Sequence, residues 1–290
     1  MLHRNPLALA LLMLPAGVIL AALTVYPVLR VLVLSFHETP YGLAEAEFVG
    51  LANYAGLAAN RFFRTAAWNT VLFTVTATVV EVLLGLALAL LCNRAFPGRR
   101  LVLPALVLPM VLSTMVVSAI WRSWFHYDFG FLNNLLRLLG FEGVPWLFDP
   151  GLALFSIVLV DVWKWTPVTF LILLAGLQAI PREVIDAARL DGAGAGQVLL
   201  RITLPLISGH VLLALLLRTV DSFKIFDKVF ALTGGGPGNA TETLSMYVYR
   251  QGFKFFEVGT ASAAAMVMLA VAGLLASVYA ARILRPGQAG

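Results

Sequence analysis

"DAARLDGAGAGQVLLRITLP", residues 186–205, interrupts a chain of 290 residues that is 60% hydrophobic and only 12% charged. With the preceding "AIPREVI" (179–185) it carries the punctuation of a short helix. Pro181 suits a first helical turn, where a backbone N–H has no partner to lose. Glu183 and Asp186 stand near the positive end of the helix dipole and Arg189 near the negative end. Gly192 supplies a left-handed stop. The helix so marked, over 181–192, is roughly ten residues and 15 Å long. That is too short to cross a bilayer and too short to persist alone in water, so it has to dock. Val184, Ala187 and Ala188 form a small-residue strip with Ile185 and Leu190 beside it, a face that another backbone can approach closely. After Gly192, "AGAGQVLL" (193–200) restarts a helix whose Val198, Leu199 and Ile202 lead to Pro205 and an apolar stretch.

The surroundings of this segment are membrane sequence. Mean hydropathy is +0.91, whereas soluble domains carry about one quarter charged residues. Six stretches reach the roughly 20 apolar residues that a crossing needs: 7–34, 66–92, 101–121, 152–178, 204–223 and 258–281. The expected fold class is therefore all-α, one polytopic membrane domain over 1–290 with a loop at 179–203. Leu7–Leu29 is uncharged, longer than a signal-peptide core and without a small-residue cleavage site, so it reads as a retained helix. The side holding both termini carries Arg4, Arg94, Arg99, Arg100, Arg182, Arg189, Arg201, Arg282 and Arg285, against eight Lys or Arg over nearly twice the length opposite. The positive-inside rule makes the side with the termini, and with 179–203, cytoplasmic. Scattered cations of this kind orient a membrane protein, and a nucleic-acid role is excluded despite a net charge of +5.

Charges inside spans cost about 2.5–3.5 kcal/mol each on insertion scales and need compensation. Asp161 and Lys164 are three residues apart, as are Arg218 and Asp221, so each pair shares a helix face. Glu81 stands alone, within possible reach of Arg218 or Lys164. One reading makes these groups packing pairs inside the bundle. The other makes Asp161, Trp163, Lys164, Thr166, Arg218 and Asp221, with Trp165, the lining of a solute path, since aromatic faces and paired polar groups suit a sugar. "TGGGPGNATE" (233–242) is either a flexible external turn or a docking loop. The chain has no phosphate-binding G-x-x-x-x-G-K-[ST] loop. It has no catalytic triad or carboxylate dyad, and no ligand-spaced His or Cys beside His126 or the single Cys92. Neither an enzyme nor a metal site is expected.

Residues 186–205 resemble the cytoplasmic signature loop of ABC importer permeases: Glu-Ala-Ala, three residues, Gly, nine residues, Ile-x-Leu-Pro. Here Asp186-Ala187-Ala188, Gly192 and Ile202-Thr203-Leu204-Pro205 keep every spacing, with Asp186 one methylene shorter than the usual Glu. "LVDVWKWTPVTFLILLAGLQAIP" (159–181) and "FKIFDKVFALTGGGPGNATETLSMYVYRQGFKFFEVGTASA" (from 223) are similar to the maltose, trehalose and glycerol-phosphate uptake group, and to the first permease of its heterodimers. The resemblance implies an importer-permease (MetI-like) fold with a coupling helix at 181–192. It implies contacts to an ATPase through Val184, Ile185, Asp186, Ala187, Ala188, Asp191 and Gly192. The implied partners are a second permease, a cytoplasmic ATPase dimer holding ATP and Mg, and an extracytoplasmic sugar-binding protein, in a prokaryotic inner membrane. No cofactor would sit on this chain. The alternative is an ion-coupled secondary transporter using Asp161 or Glu81, which has no need of a capped cytoplasmic helix.

Overall fold

The computed structural model describes residues 6–39 and 46–283. Arg4 and Arg285, two of the orienting cations, lie outside that range. In chain order the elements are α1 (Pro6–Leu34), the antiparallel hairpin β1 (His37–Glu38) and β2 (Glu47–Phe48), α2 (Ala52–Ala59), α3 (Arg61–Cys92), α4 (Arg99–Val111), α5 (Thr114–Trp124), α6 (Phe131–Leu138) and α7 (Ala153–Gln178). There follow α8 (Arg182–Leu190), α9 (Ala195–Val198), a π-helical turn at Leu199–Thr203, α10 (Leu204–Leu206), α11 (Ser208–Phe223), α12 (Asp227–Leu232), α13 (Leu244–Tyr249), a second π-helical turn at Arg250–Lys254 and α14 (Val258–Ile283).

Among the described residues, α3, α7, α14 and the Leu12–Leu34 part of α1 are long and apolar enough to cross a membrane. Two bent pairs bring the number to six when each counts as one span: α4 with α5, bent by 98°, and Ala195–Leu206 with α11, bent by 68°. The stretch expected as the third span, 101–121, falls in the first of these bent pairs. Pro104 and Pro109 remove two backbone donors from α4, and Leu112 turns extended (φ −69°, ψ 143°) before α5 begins. The second bend falls at Ile207 (φ −93°, ψ 8°), so the span expected to start at 204 has a kinked entry.

The chain forms two compact units: one takes in residues up to Arg64 with Tyr247–Ala270, the other Thr65–Met246 with the chain from Val271. In the first, the Asn53 amide donates to the carbonyls of Ser35 (3.0 Å) and His37 (2.9 Å), and Tyr54 donates to the Ser35 hydroxyl, which fastens α2 to the end of α1. The second holds the core that matters for function. Val82 and Ala89 of α3, Phe170, Leu173, Leu174 and Leu177 of α7, Ile207 and Ala214 are buried together. Close approach of α3 to α7 requires Gly85, because a Cβ there would run into the side chain of Thr169. The Thr169 hydroxyl donates back to the Glu81 carbonyl at 2.8 Å.

Candidate functional site

The segment over 181–192 folds as its punctuation dictates. The α8 helix ends in a paired cap: Gly192 N–H donates to the Arg189 carbonyl and Ala193 N–H to the Ala188 carbonyl, both at 3.0 Å. Gly192 itself is left-handed at φ +83°. Pro181 stands one residue outside the helix, at its N-cap, in extended geometry. Gln197 then reaches back to the Gly194 N–H (3.0 Å) and starts α9. No residue of α8 is buried. Leu190 is 89% and Val184 40% exposed. Ala187, Asp191 and Gly192 are also exposed, Ile185 and Ala188 are half-buried, and exposed Asp186 pairs with Arg189 at 3.8 Å.

The intramembrane charges converge on Arg218, which is 2% exposed. Its Nε donates to Glu81 Oε2, and its Nη2 donates to Glu81 Oε1 (3.1 Å), Asp161 Oδ2 (2.9 Å) and Ser222 Oγ (3.0 Å). Its Nη1 donates to Asp221 Oδ2 at 2.9 Å. The other Asp161 oxygen pairs with Lys228 of α12. One guanidinium thus ties α3, α7 and α11 together, and Asp161 extends the tie to α12. Trp165 lies beneath the cluster, with Arg218, Lys164 and Lys228 at 5.2, 5.4 and 5.8 Å from its ring centre. Beside it is a cavity of about 190 Å³ bounded by Asp161, Trp165, Asp221, Lys224, Phe226 and Lys228.

Of the expected path residues, Asp161, Lys164, Arg218 and Asp221 come together. Trp163 does not: it packs edge-on against Trp121 at 5.9 Å, on the opposite side of α7 from the cluster. Thr166 is buried, and its hydroxyl has no hydrogen-bond partner among the described residues. The expected Arg218–Asp221 pair forms, but Asp161 and Lys164 do not neutralise each other. Asp161 takes Arg218 and Lys228, while Lys164 donates to the Leu112 carbonyl at 2.6 Å. The broken span leaves that carbonyl at the negative end of α4, where an ammonium is the strongest available partner. Lys164→Met should destabilise the chain by about 1 kcal/mol by removing the ammonium from this half-buried carbonyl. The check is the unfolding midpoint of the purified chain in detergent, and an unchanged midpoint would show that the carbonyl has another partner.

Sequence reasoning missed Lys228 and Ser222. Lys228 falls outside the apolar stretches, so no hydropathy signal marks it, whereas Ser222 stands four residues after Arg218 on its helix face. The glycine-rich segment is tied by hydrogen bonds within itself and to α3. Thr241 and Thr243 are fully buried. Thr241 Oγ1 donates to the Gly236 carbonyl (2.7 Å), and the Asn69 amide of α3 donates to the carbonyls of Asn239 (3.2 Å) and Glu242 (3.0 Å). The polar face of α3 therefore anchors this loop at Asn69 and Thr70 and the charge cluster at Glu81.

The family model described as "binding-protein-dependent transport system inner membrane component" matches residues 81–288, from the acid that grips Arg218 through both spans that flank α8. The chain belongs to that family. Among similar members, the sulfoquinovosyl glycerol transport system permease SmoG of Agrobacterium fabrum is 39% identical over 277 residues, covering 95% of this chain and 89% of its own. The trehalose/maltose transport system permease MalF of Thermococcus litoralis is 36% identical over 249 residues, covering 86% and 83%. A chain of a bacterial ABC transporter that imports alginate has the same fold, with TM-score 0.84 at 22% identity over 97% of this chain and 96% of its own. For an inner-membrane component of this family, the two features built above are a capped helix outside the core and a buried charge hub between the helices that carry it.

Proposed function

We propose that this chain is a permease subunit of an ATP-driven, binding-protein-dependent sugar importer, and that α8 is the helix through which a separate ATPase moves it. The observation that carries the reading is a capped nine-residue helix that buries none of its residues, set in the middle of the family match. Such a helix is unstable alone, and its exposed apolar face needs a partner. The named relatives transport sugars and glycosyl glycerols, which supports the substrate class. The partners are a second permease, an ATPase dimer holding ATP and Mg, and an extracytoplasmic binding protein. Both termini and α8 face the cytoplasm, and the chain itself performs no chemistry.

The mechanism follows from connectivity. Displacing α8 pulls on α7 directly and on α11 through α9, the π-helical turn and α10. Arg218 ties α7, α11 and α3 together, so the stroke moves three helices as one block. ATP binding on the partner then shifts the population between inward- and outward-open states. Solute passes beside Trp165, with Asp161, Asp221 and Lys228 as polar contacts. An ion-coupled carrier built on Asp161 or Glu81 is disfavoured, because both carboxylates are already neutralised by Arg218 and Lys228.

The experiment is uptake of labelled trehalose, maltose and a glycosyl glycerol into proteoliposomes. It compares the chain alone under an ion gradient with the assembled importer under ATP. ATP- and binding-protein-dependent uptake by the assembly alone is expected, and gradient-driven uptake by the lone chain would overturn the reading. Trp165→Ala in the assembly should raise the KM for uptake about tenfold, a loss of ~1.4 kcal/mol of sugar–aromatic contact. An unchanged KM would place the path elsewhere.

A further inference from the structure

Behind α8 lies a cavity of about 910 Å³, apart from the solute path, which shares only Ile185 and Asp186 with the expected ATPase contact. It is large for a small-molecule site, which typically measures ~300–1,000 Å³. Four arginines from separate places in the chain line it: Arg94 just after α3, Arg99 at the start of α4, and Arg182 and Arg189 at the two ends of α8. The acid on this wall is Asp186, already paired with Arg189. The floor is apolar, formed by Leu90 of α3, Leu177 of α7, Val198 and Leu199 among others. Leu90 and Leu177 are at the very ends of α3 and α7, where span gives way to water, and Val198 and Leu199 lie where α9 meets the π-helical turn.

The two faces of α8 divide accordingly. Arg182, Ile185, Asp186 and Arg189, spaced three or four apart, line the cavity, whereas Val184, Ala187 and Leu190 do not. The faces of one helix thus carry different chemistry: Val184, Ala187 and Leu190 with Glu183 among them on one side, cations over an apolar floor on the other. Guanidinium groups match phosphate oxygens in a two-point geometry, and an apolar floor beneath them suits the first methylenes of an acyl chain. The geometry points to this cavity as a binding site for the headgroup of an anionic phospholipid, lodged between α8 and the ends of α3 and α7. An occupant held there braces α8 against the core, so lipid composition sets how stiffly α8 transmits its stroke. That consequence rests on the coupling role of α8, but the binding itself does not.

The test is therefore a binding measurement. The full-length chain, purified in detergent, is titrated with phosphatidylglycerol and with phosphatidylcholine, and bound lipid is counted by native mass spectrometry. Wild type should retain phosphatidylglycerol in preference to phosphatidylcholine. Removing each lining arginine should weaken binding about fivefold, so Arg94→Gln with Arg182→Gln should lose about 25-fold. Arg100→Gln with Arg201→Gln removes two charges from the same side of the chain but none from the cavity, and should change binding less than twofold. Equal losses in both double variants would mean unspecific surface charge and overturn the proposal, as would no loss in either. Displacement of the lipid by excess inorganic phosphate would also overturn it, in favour of a free-phosphate site. These results stand whether or not the assembled importer shows ATP-driven uptake.

Discussion

Arg218→Met will lower the stability of the chain by about 3–5 kcal/mol, the cost of leaving a buried charge without its partner. The substitution keeps side-chain bulk and removes every donor. Asp161 retains Lys228, and Asp221, whose side chain is 43% exposed, retains water and Lys224. Glu81, with a fully buried side chain, retains no cation. The loss should therefore trace to one carboxylate. Adding Glu81→Gln to the same chain should recover at least about 1 kcal/mol, because no uncompensated charge then remains. The measurement is a double-mutant cycle on detergent unfolding midpoints. Additive effects of the two substitutions would show that Glu81 and Arg218 do not act as a pair.

Gly192→Val will uncouple hydrolysis from transport. At φ +83° an L residue costs about 1–2 kcal/mol, and a β-branched one more. A Cβ at position 192 has nothing within 4 Å, so the effect comes from the backbone alone, through the direction in which the chain leaves α8. In the assembled importer, sugar taken up per ATP hydrolysed should fall roughly tenfold, the equivalent of ~1.4 kcal/mol, while hydrolysis itself continues. Gly196→Ala is the control, because Gly196 lies within α9 with open space around it and a negative φ. A Gly192→Val chain with normal coupling would show that the geometry of the α8 exit is unimportant.

The helix at the centre of this account was legible because its signals are local. Pro181, Glu183, Arg189 and Gly192 act within one or two turns, and each does in the structure what its chemistry dictates, with Pro181 displaced by one position. The charge hub was only half legible. Hydropathy singled out Glu81, Asp161, Lys164 and Arg218 as out of place, and spacing paired Arg218 with Asp221. Arg218 and Lys164 were both open as partners of Glu81, and because the bond that forms joins residues 137 apart, nothing in a single sequence chooses between them. Lys164 was given the wrong partner for a related reason. Its acceptor exists only because the span at 101–121 breaks at Leu112, and a mean over apolar residues cannot register a bend. Trp163 and Trp165 are two apart and nearly opposite around α7, so composition could not say which faces the charges. The glycine-rich loop shows a further limit. Its glycines suggest freedom, but its threonines, with Asn69 and Thr70 of α3, hold it in place.

The reading of function turns on whether α8 is held by a nucleotide-hydrolysing partner. The direct measurement places a thiol on its outer face by Leu190→Cys, in a chain where the buried Cys92 is replaced by Ala. Membranes carrying the complete importer are then treated with a short bifunctional thiol reagent. The account predicts an adduct between position 190 and the ATPase subunit, in a yield that changes when ATP is added. No adduct with any ATP-hydrolysing protein, or labelling of position 190 by an impermeant reagent from the extracytoplasmic side, would contradict it.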